Sequence, residues 1–508
     1  MAGFTWLDYL IVAAYLAGVT VLGSLFASGQ KSSRDFFLAG RGMSWFPMAL
    51  SVIATDFSAI SFLGAPGYVV AHDLVIDLQP LVFIWVLPIS LYLFVRFFHR
   101  LELISAYEYL EKRFNLALRT GCSLLFICLR VSWMATALYA TSLALTQATP
   151  LPFWLCAVLI GGLTTFYSSL GGMKAVIWTD VSQFFIFVTA IALVLVRAVG
   201  SLPGGVVMAW DTANRAGHTR LLNFEGGWEA ITTPAVLIGG SFLVLISYGV
   251  DQVVIQRYLT ARSIDEIKRS MVFQVCAAPG LLFMLAVIGL AVFSFYSHFP
   301  ERIPEGLETD KWFPYFIVHE LPMGFSGLVI AGLFAATMSS ISSGVNSITA
   351  ACVIDFYRRL LAGDSRVIQK QGDSPSAPAF AQQNQREIRI SRILSVFWGA
   401  AATALAFVVG RIGVIAIIAK TLSGFFGGVL LGVFLLGILA PRVNGPGALL
   451  GGLIGFATIS TVGLATPINL FWYAPIGCLT TVVAGTVVSR FFALPSGKQT
   501  SGLTLKAG

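Results

Sequence analysis

Charge is scarce in this chain, and that scarcity excludes most soluble folds. Asp, Glu, Lys and Arg make up 11% of 508 residues and apolar side chains 57%, whereas a soluble globular domain carries about 25% charge. Mean hydropathy is +0.83. The five histidines (His72, His99, His218, His298, His319) are scattered at predicted loops or helix ends and form no catalytic constellation, so no enzyme is expected. Cys122, Cys128, Cys156, Cys276, Cys352 and Cys478 lie in apolar segments without metal-ligand spacing and read as buried small hydrophobes, which excludes a zinc site or disulfide framework. No kinase, nucleotide-binding or receptor module is recognisable. The first apolar run follows Met1-Ala2-Gly3-Phe4-Thr5 without a basic stretch or a small-residue cleavage site, and reads as a retained helix.

What the chain has instead is oil in long runs. In hydrocarbon about 30 Å thick such runs must be helices, because every backbone polar group has to pair internally. Thirteen are predicted, at 5–27, 45–70, 77–99, 118–147, 153–170, 175–198, 234–256, 270–297, 326–355, 391–409, 414–440, 446–465 and 469–490. Of the 32 basic residues, 24 then fall in segments on one side of the membrane and five (Arg215, Arg220, Arg302, Lys311, Arg411) on the other, with Arg130, Arg197 and Lys420 inside helices. The positive-inside rule places the N-terminus outside and the C-terminus inside. Orientation thereby explains the net charge of +8 without a nucleic-acid partner. The stretch at about 358–387 is polar and low in complexity and reads as a mobile inner linker; the outer loop at 201–233 has room for a short helix.

Transporters place their sites where membrane helices break. The second span carries Thr55-Asp56-Phe57-Ser58 and then Gly64-Ala65-Pro66-Gly67. The seventh carries Gly239-Gly240-Ser241 and then Tyr248-Gly249-Val250-Asp251-Gln252. Five helices separate these polar interruptions; five is odd, so units that begin there run in opposite directions, as an inverted repeat requires. The ninth span holds Thr337-Met338-Ser339-Ser340-Ile341-Ser342-Ser343, in which Ser339, Ser342 and Ser343 share one face and offer oxygens to a hard cation. Close helix packing is the competing reading of that serine face.

These residues carry a family resemblance. Tyr167-Ser168-Ser169-Leu170-Gly171-Gly172-Met173-Lys174-Ala175 with Trp178-Thr179-Asp180, Asp251-Gln252 with Gln256-Arg257-Tyr258-Leu259, Ala335 to Ser340, and Gly437-Ile438 with Arg442, Gly447-Ala448 and Gly451 occur in an order that resembles the sodium/solute symporter family over nearly the whole chain. The resemblance implies an all-α integral membrane protein with a LeuT-type core of two inverted five-helix repeats. Residues 1–44 would form an extra helix and inner loop, 45–200 the first repeat, 201–233 an outer loop, 234–440 the second repeat, and 441–508 two further helices and an inner tail. It implies a shared sodium site built from the carbonyls of Ala54, Phe57 and Ala336 and the hydroxyls of Ser339 and Ser340. It also implies a second sodium site at Asp180, Ser339, Ser342 and Ser343, and an ion-coupling role for Asp56. Asp180 has a competing reading as an interfacial residue paired with Lys174 or another basic neighbour.

The expected function is sodium-coupled import of a small polar solute by alternating access, across a plasma membrane or bacterial inner membrane, with sodium as coupling ion and no other cofactor. Partners are then the solute, sodium and the bilayer; the oligomeric state is not legible. Val244 and Ser247 depart from the polar pattern of sugar-type members, and a Gln of that pattern aligns with Lys420. An ammonium at membrane depth costs about 2.5–3.5 kcal/mol, which favours a carboxylate solute as its partner; pairing with Asp56 or snorkelling outward are the alternatives. Ser61, Tyr248, Phe425 and Arg130 are the other candidate solute contacts. A symporter for an uncharged sugar, amino acid or vitamin, a carrier without sodium dependence, and a non-transporting solute sensor are the other classes that fit.

Overall fold

The computed structural model describes residues 4–27, 30, 32–101, 103–149, 151–361, 377–410 and 423–505. Among them the chain is helical, with one isolated bridge, Met43 to Ala261, and no strand. Among the described residues nine helices are long and apolar enough to cross a membrane, or up to eleven if each of two bent pairs is one span. One further apolar helix, Ser423–Leu439, is shorter.

The helix Phe153–Gly200 has 48 residues, which at 1.5 Å per residue is about 72 Å, more than twice the hydrocarbon thickness. It is two helices joined at Gly172, whose φ of 56° and ψ of −156° are not helical. Only glycine adopts that conformation without strain, and a Cβ there would lie 2.6 Å from the Phe36 carbonyl oxygen.

The helix Phe325–Ala351 is the axis of the bundle and is buried along nearly its whole length. Its small residues allow backbones to approach, as where Gly332 meets Ala190. Asp8 docks the first helix, Trp6–Ser24, onto the start of this axis. Its Oδ1 accepts the Gly324 and Gly327 amides at 3.0 and 2.6 Å, an anion at a helix N-terminus. Nothing in the sequence pattern had singled out Asp8.

Arginines counted as inner-surface charge are also structural. Arg113 is fully buried and donates to the carbonyls of Gly437, Ala440 and Val443, satisfying the exposed end of Gly428–Leu439. Arg119 joins Asp355 at 2.7 Å and Glu111 at 2.7 Å, and Arg359 joins the same glutamate at 2.6 Å. Arg358 pairs with Glu387, which also accepts from Ser33. These bonds cross-link one face of the bundle.

Two expectations need correction. The stretch 358–387 is not all linker, since Ala377 opens the helix Ala377–Val409 and Glu387 is an anchor; residues 362–376 lie outside the described ones. Cys128 and Cys276 are exposed on the outside of the bundle, where lipid makes an apolar side chain as comfortable as the core does. The loop after Gly200 does hold a short helix, Gly205–Arg215.

Gly172→Ala should lower the melting temperature in detergent by a shift equivalent to at least about 1 kcal/mol from backbone strain alone, and Gly172→Val by more. Burial pushes the Glu111 carboxyl up, but hydrogen bonds and charge from Arg359 and Arg119 outweigh it and hold the group below the usual carboxylate range. Its contribution is therefore present above that range and lost as pH falls through the lowered value. Melting curves from pH 7 to pH 3 should show a steeper acid loss for the native chain than for Glu111→Gln.

Candidate ion and solute site

Both broken spans break at polar residues that compete with the helix for backbone hydrogen bonds. Trp45–Asp56 ends at Phe57, whose φ of −84° and ψ of 95° are extended. Ser58 caps the next helix, Ala59–Ala71, through its Oγ, which accepts the Ile60 amide. The two halves meet at 57°. Thr233–Gly249 likewise ends at Val250, and Asp251 caps Gln252–Leu259 by accepting the Val253 amide at 2.9 Å, with a bend of 47°. Of the polar and glycine-rich runs read from the sequence, Thr55–Ser58 and Tyr248–Gln252 contain the breaks, while Gly64–Gly67 and Gly239–Ser241 do not. Pro66 sits inside Ala59–Ala71, and Gly239 lies mid-helix, where a Cβ would strike the Phe471 carbonyl.

The two breaks face one cavity of about 410 Å³. Asp56, Phe57 and Ser61 line it from the first break, Tyr248 and Asp251 from the second. The Tyr248 hydroxyl donates to the Asp56 carboxylate across the gap. Arg130 binds Asp251 through Nε, at 3.2 Å, and one Nη. It is the single cationic side chain among the described residues of the lining. The cavity extends to Ile231, Leu470 and Phe471, beside the 201–232 loop, and away from the cross-linked face.

Beside the cavity lies a second polar centre, closed to solvent. Asp180 Oδ1 accepts from Ser339 Oγ at 2.7 Å, and Oδ2 accepts from Ser51 Oγ at 2.5 Å and from Arg257 Nη2 at 2.8 Å. Arg257 also donates to Ser51 Oγ through Nε (2.7 Å), to the Val253 carbonyl through Nη1 (2.8 Å), and to Thr55 Oγ1 (2.8 Å) and Ser343 Oγ through Nη2. Neither charged side chain is exposed at all.

The structure brings most expected residues together. Ser340 Oγ lies 3.4 Å from the Thr55 carbonyl and 3.2 Å from that of Ala336, so oxygens of the first break and the central helix converge next to Ala54 and Phe57. Ser339 turns to Asp180, and Ser342 donates to the Ser339 carbonyl at 3.1 Å. Asp56, Ser61, Tyr248 and Arg130 reach the cavity. Phe425 is not in the cavity lining; its ring packs against Tyr473, with centroids 5.5 Å apart. Lys420 lies outside the described residues. The partner of Asp180 is Arg257, not Lys174, whose ammonium lies over the Phe26 ring. Arg257, Ser51 and Thr55 had been given no role; the available signal was the cost of an arginine next to a broken apolar span.

An all-helical, membrane-length bundle with two broken helices, their carboxylates and their freed ends facing one cavity is the architecture of a secondary transporter. The chain belongs to the sodium:solute symporter family, whose model matches residues 36–455; it is a sodium-coupled membrane transporter and not an enzyme. It is 33% identical over 494 residues to the sodium/sialic acid symporter NanT of Aliivibrio fischeri, covering 96% of this chain and 94% of that one. It is 33% identical over 469 residues to the human sodium-coupled monocarboxylate transporter 1, covering 91% and 74%. The fold superposes with a TM-score of 0.87 on a solved substrate-bound, outward-open sodium-coupled sialic acid symporter, at 30% identity and over 97% and 99% of the two chains. A nucleobase-cation-symport-1 family transporter in a closed conformation shares the fold at a TM-score of 0.56 and 13% identity, over 93% and 98%.

A hydrogen bond to a charged group is worth about 1.5–3 kcal/mol. Tyr248→Phe should therefore destabilise the chain by that order in thermal or denaturant unfolding. The same substitution in an Asp56→Asn background should cost markedly less, and additive losses would show that the pair is not coupled.

Proposed function

We propose that this chain imports a small carboxylate-bearing solute with sodium by alternating access. The carrying observation is the cavity bounded by both helix breaks, with the Arg130 guanidinium in its wall and the Thr55, Ala336 and Ser340 oxygens beside it. The relatives named for sialic acid and monocarboxylates support a carboxylate solute.

The full architecture in this reading has thirteen spans. The two bent pairs count as single spans, Phe153–Gly200 as two, and Ser423–Leu439 as the described part of the eleventh. The first five core spans, at 45–200, and the next five, at 234–440, form inverted repeats, with one helix before them and two after. The N-terminus is outside and the C-terminus inside, in the plasma membrane or, in a Gram-negative cell, the inner membrane. The cavity then opens outward and the ion-paired face of Arg119, Asp355, Glu111 and Arg359 closes the inside.

Sodium at the carbonyls of Ala54, Phe57 and Ala336 and the hydroxyls of Ser339 and Ser340 would join the first break to the central helix and set the cavity for solute. Coupling is reciprocal, so solute tightens sodium binding by the factor with which sodium tightens solute binding. An inward-negative potential supplies about 2.3 kcal/mol per sodium ion per 100 mV. One observation favours a second reading: Asp251 already holds Arg130, which suits an uncharged polar solute better than an anion.

A thermal-shift screen of small carboxylates, sugars and amino acids in sodium against potassium separates the two. A carboxylate should raise the melting temperature in sodium only. Ser339→Ala with Ser340→Ala should abolish that dependence and, in proteoliposomes, sodium-driven uptake of the solute found; uptake that survives the double substitution would refute the ion site.

A further inference from the structure

Opening of the cross-linked face has to part the ion pairs that meet at Glu111. That carboxylate sits on the short helix Glu108–Arg113 and joins Arg119 of Leu116–Ala148 at 2.7 Å and Arg359 of the run Cys352–Leu361 at 2.6 Å. Residues 496–505, far along the chain, fasten the same short helix a second time. We propose that this segment is a brake, whose docking on Glu108–Arg113 holds the ion-paired face shut and whose release lets that face open. The proposal rests on the alternating-access reading and concerns only what restrains it.

Two contacts bracket Glu111. Ahead of it, the Tyr109 hydroxyl donates to the Leu503 carbonyl at 3.0 Å. Behind it, Gln499 Nε2 donates at 3.0 Å to the carbonyl of Phe114, which with Asn115 forms the corner between the short helix and Leu116–Ala148. Gln499 is itself held in place, since its Oε1 accepts the Ser496 amide at 3.0 Å. Tyr109 is fully buried, its ring centroid 5.1 Å from that of Phe97 and 6.0 Å from that of Phe434. A Cβ on Gly437 would lie 2.8 Å from the Tyr109 hydroxyl. That hydroxyl therefore sits where the segment, the short helix and Gly428–Leu439 meet. Arg113 of the same short helix holds the end of Gly428–Leu439 through the Gly437, Ala440 and Val443 carbonyls.

The segment is anchored, but lightly. Leu503 and Thr504 are buried, and Leu503 belongs to the main apolar core. Ser496, Gly497, Lys498 and Ser501 are exposed. Elements with few buried apolar contacts and solvent-reached hydrogen bonds open first. The latch behind it is built otherwise, since the fully buried Asp355 accepts from Ser105 at 2.8 Å, Ser123 at 2.7 Å and Arg119 at 2.7 Å. The segment can thus detach while the ion pairs are still closed, and its departure removes a clamp from the helix that carries Glu111.

Hydrogen–deuterium exchange of the purified full-length chain in detergent tests this. Leu503→Asp with Gln499→Ala places a charge where burial disfavours it and removes a donor, so the segment lets go. Exchange should then rise in residues 107–114 and also across the latch in 352–361, by about fivefold, the factor by which loss of one buried hydrogen bond shifts an opening equilibrium. Residues 153–160, beyond the far end of Leu116–Ala148, should not change. Tyr109→Phe deletes only the hydroxyl and should raise exchange in the same two places, which keeps the test decisive if the first variant fails to fold. No rise in 352–361 would make the segment a cover and nothing more, and an equal rise in 153–160 would mean general loosening; either overturns the proposal. Neither outcome bears on sodium-driven uptake, the assay by which the transport reading itself stands or falls.

Discussion

A charge pair sealed inside a membrane bundle must be matched in place, and the Arg257–Asp180 pair is the constraint around which the centre of this molecule is arranged. It joins four packed elements. Ser51 and Thr55 come from the first half-helix, Asp180 from the helix after the Gly172 turn, and Arg257 from the second half-helix, with Ser339 and Ser343 of the buried axis completing the shell. Removing one partner alone leaves a buried charge without compensation, at a cost of about 3–5 kcal/mol. The two halves of the bundle therefore meet through a contact with little freedom to drift, and movement between them must pivot about it or break it.

Around that centre the two faces are held by different means. On the cavity side Tyr248 bonds Asp56 from break to break and Arg130 holds Asp251, both in the wall where solute would sit. On the opposite face Arg119, Asp355, Glu111 and Arg359 form a branched network with Arg358 and Glu387 beside it. A solute or ion can compete for the first set because water and ligand reach it. The second set does not line that cavity. This asymmetry fits a structure open on one side and latched on the other.

The residues explain why some of this was legible in sequence and some not. Hydropathy marked the apolar runs, nine to eleven of which are membrane-length helices among the described residues, because the bilayer demands about twenty apolar residues wherever a helix crosses. The serine cluster stood out because packing does not need so many hydroxyls, and its oxygens do converge with the first break. The polar runs at 55–58 and 248–252 do contain the breaks, where Ser58 and Asp251 cap the helices that follow, while Pro66 and Gly239, which look equally disruptive in sequence, are absorbed within helices. Partner choice was least legible. Asp180 takes a guanidinium 77 positions away, Asp8 takes amides more than 300 away, and Arg130 takes Asp251; each pairing is set by three-dimensional proximity that no local pattern records.

Ser339 and Ser340 show how the centre and the cavity are tied. The two are adjacent in sequence, so on a helix they point about 100° apart. One donates to Asp180 and the other approaches the carbonyls of Thr55 and Ala336. Thr55 meets both, since its hydroxyl accepts from Arg257 while its carbonyl faces Ser340. A cation bound at those carbonyls would pull on a residue that the buried pair already holds, next to Asp56 and the tyrosine that bridges the cavity. In the proposed reading, ion binding at those carbonyls and solute contact at Asp56 would share the residues 55–57, and coupling between them would require no longer path than that one break.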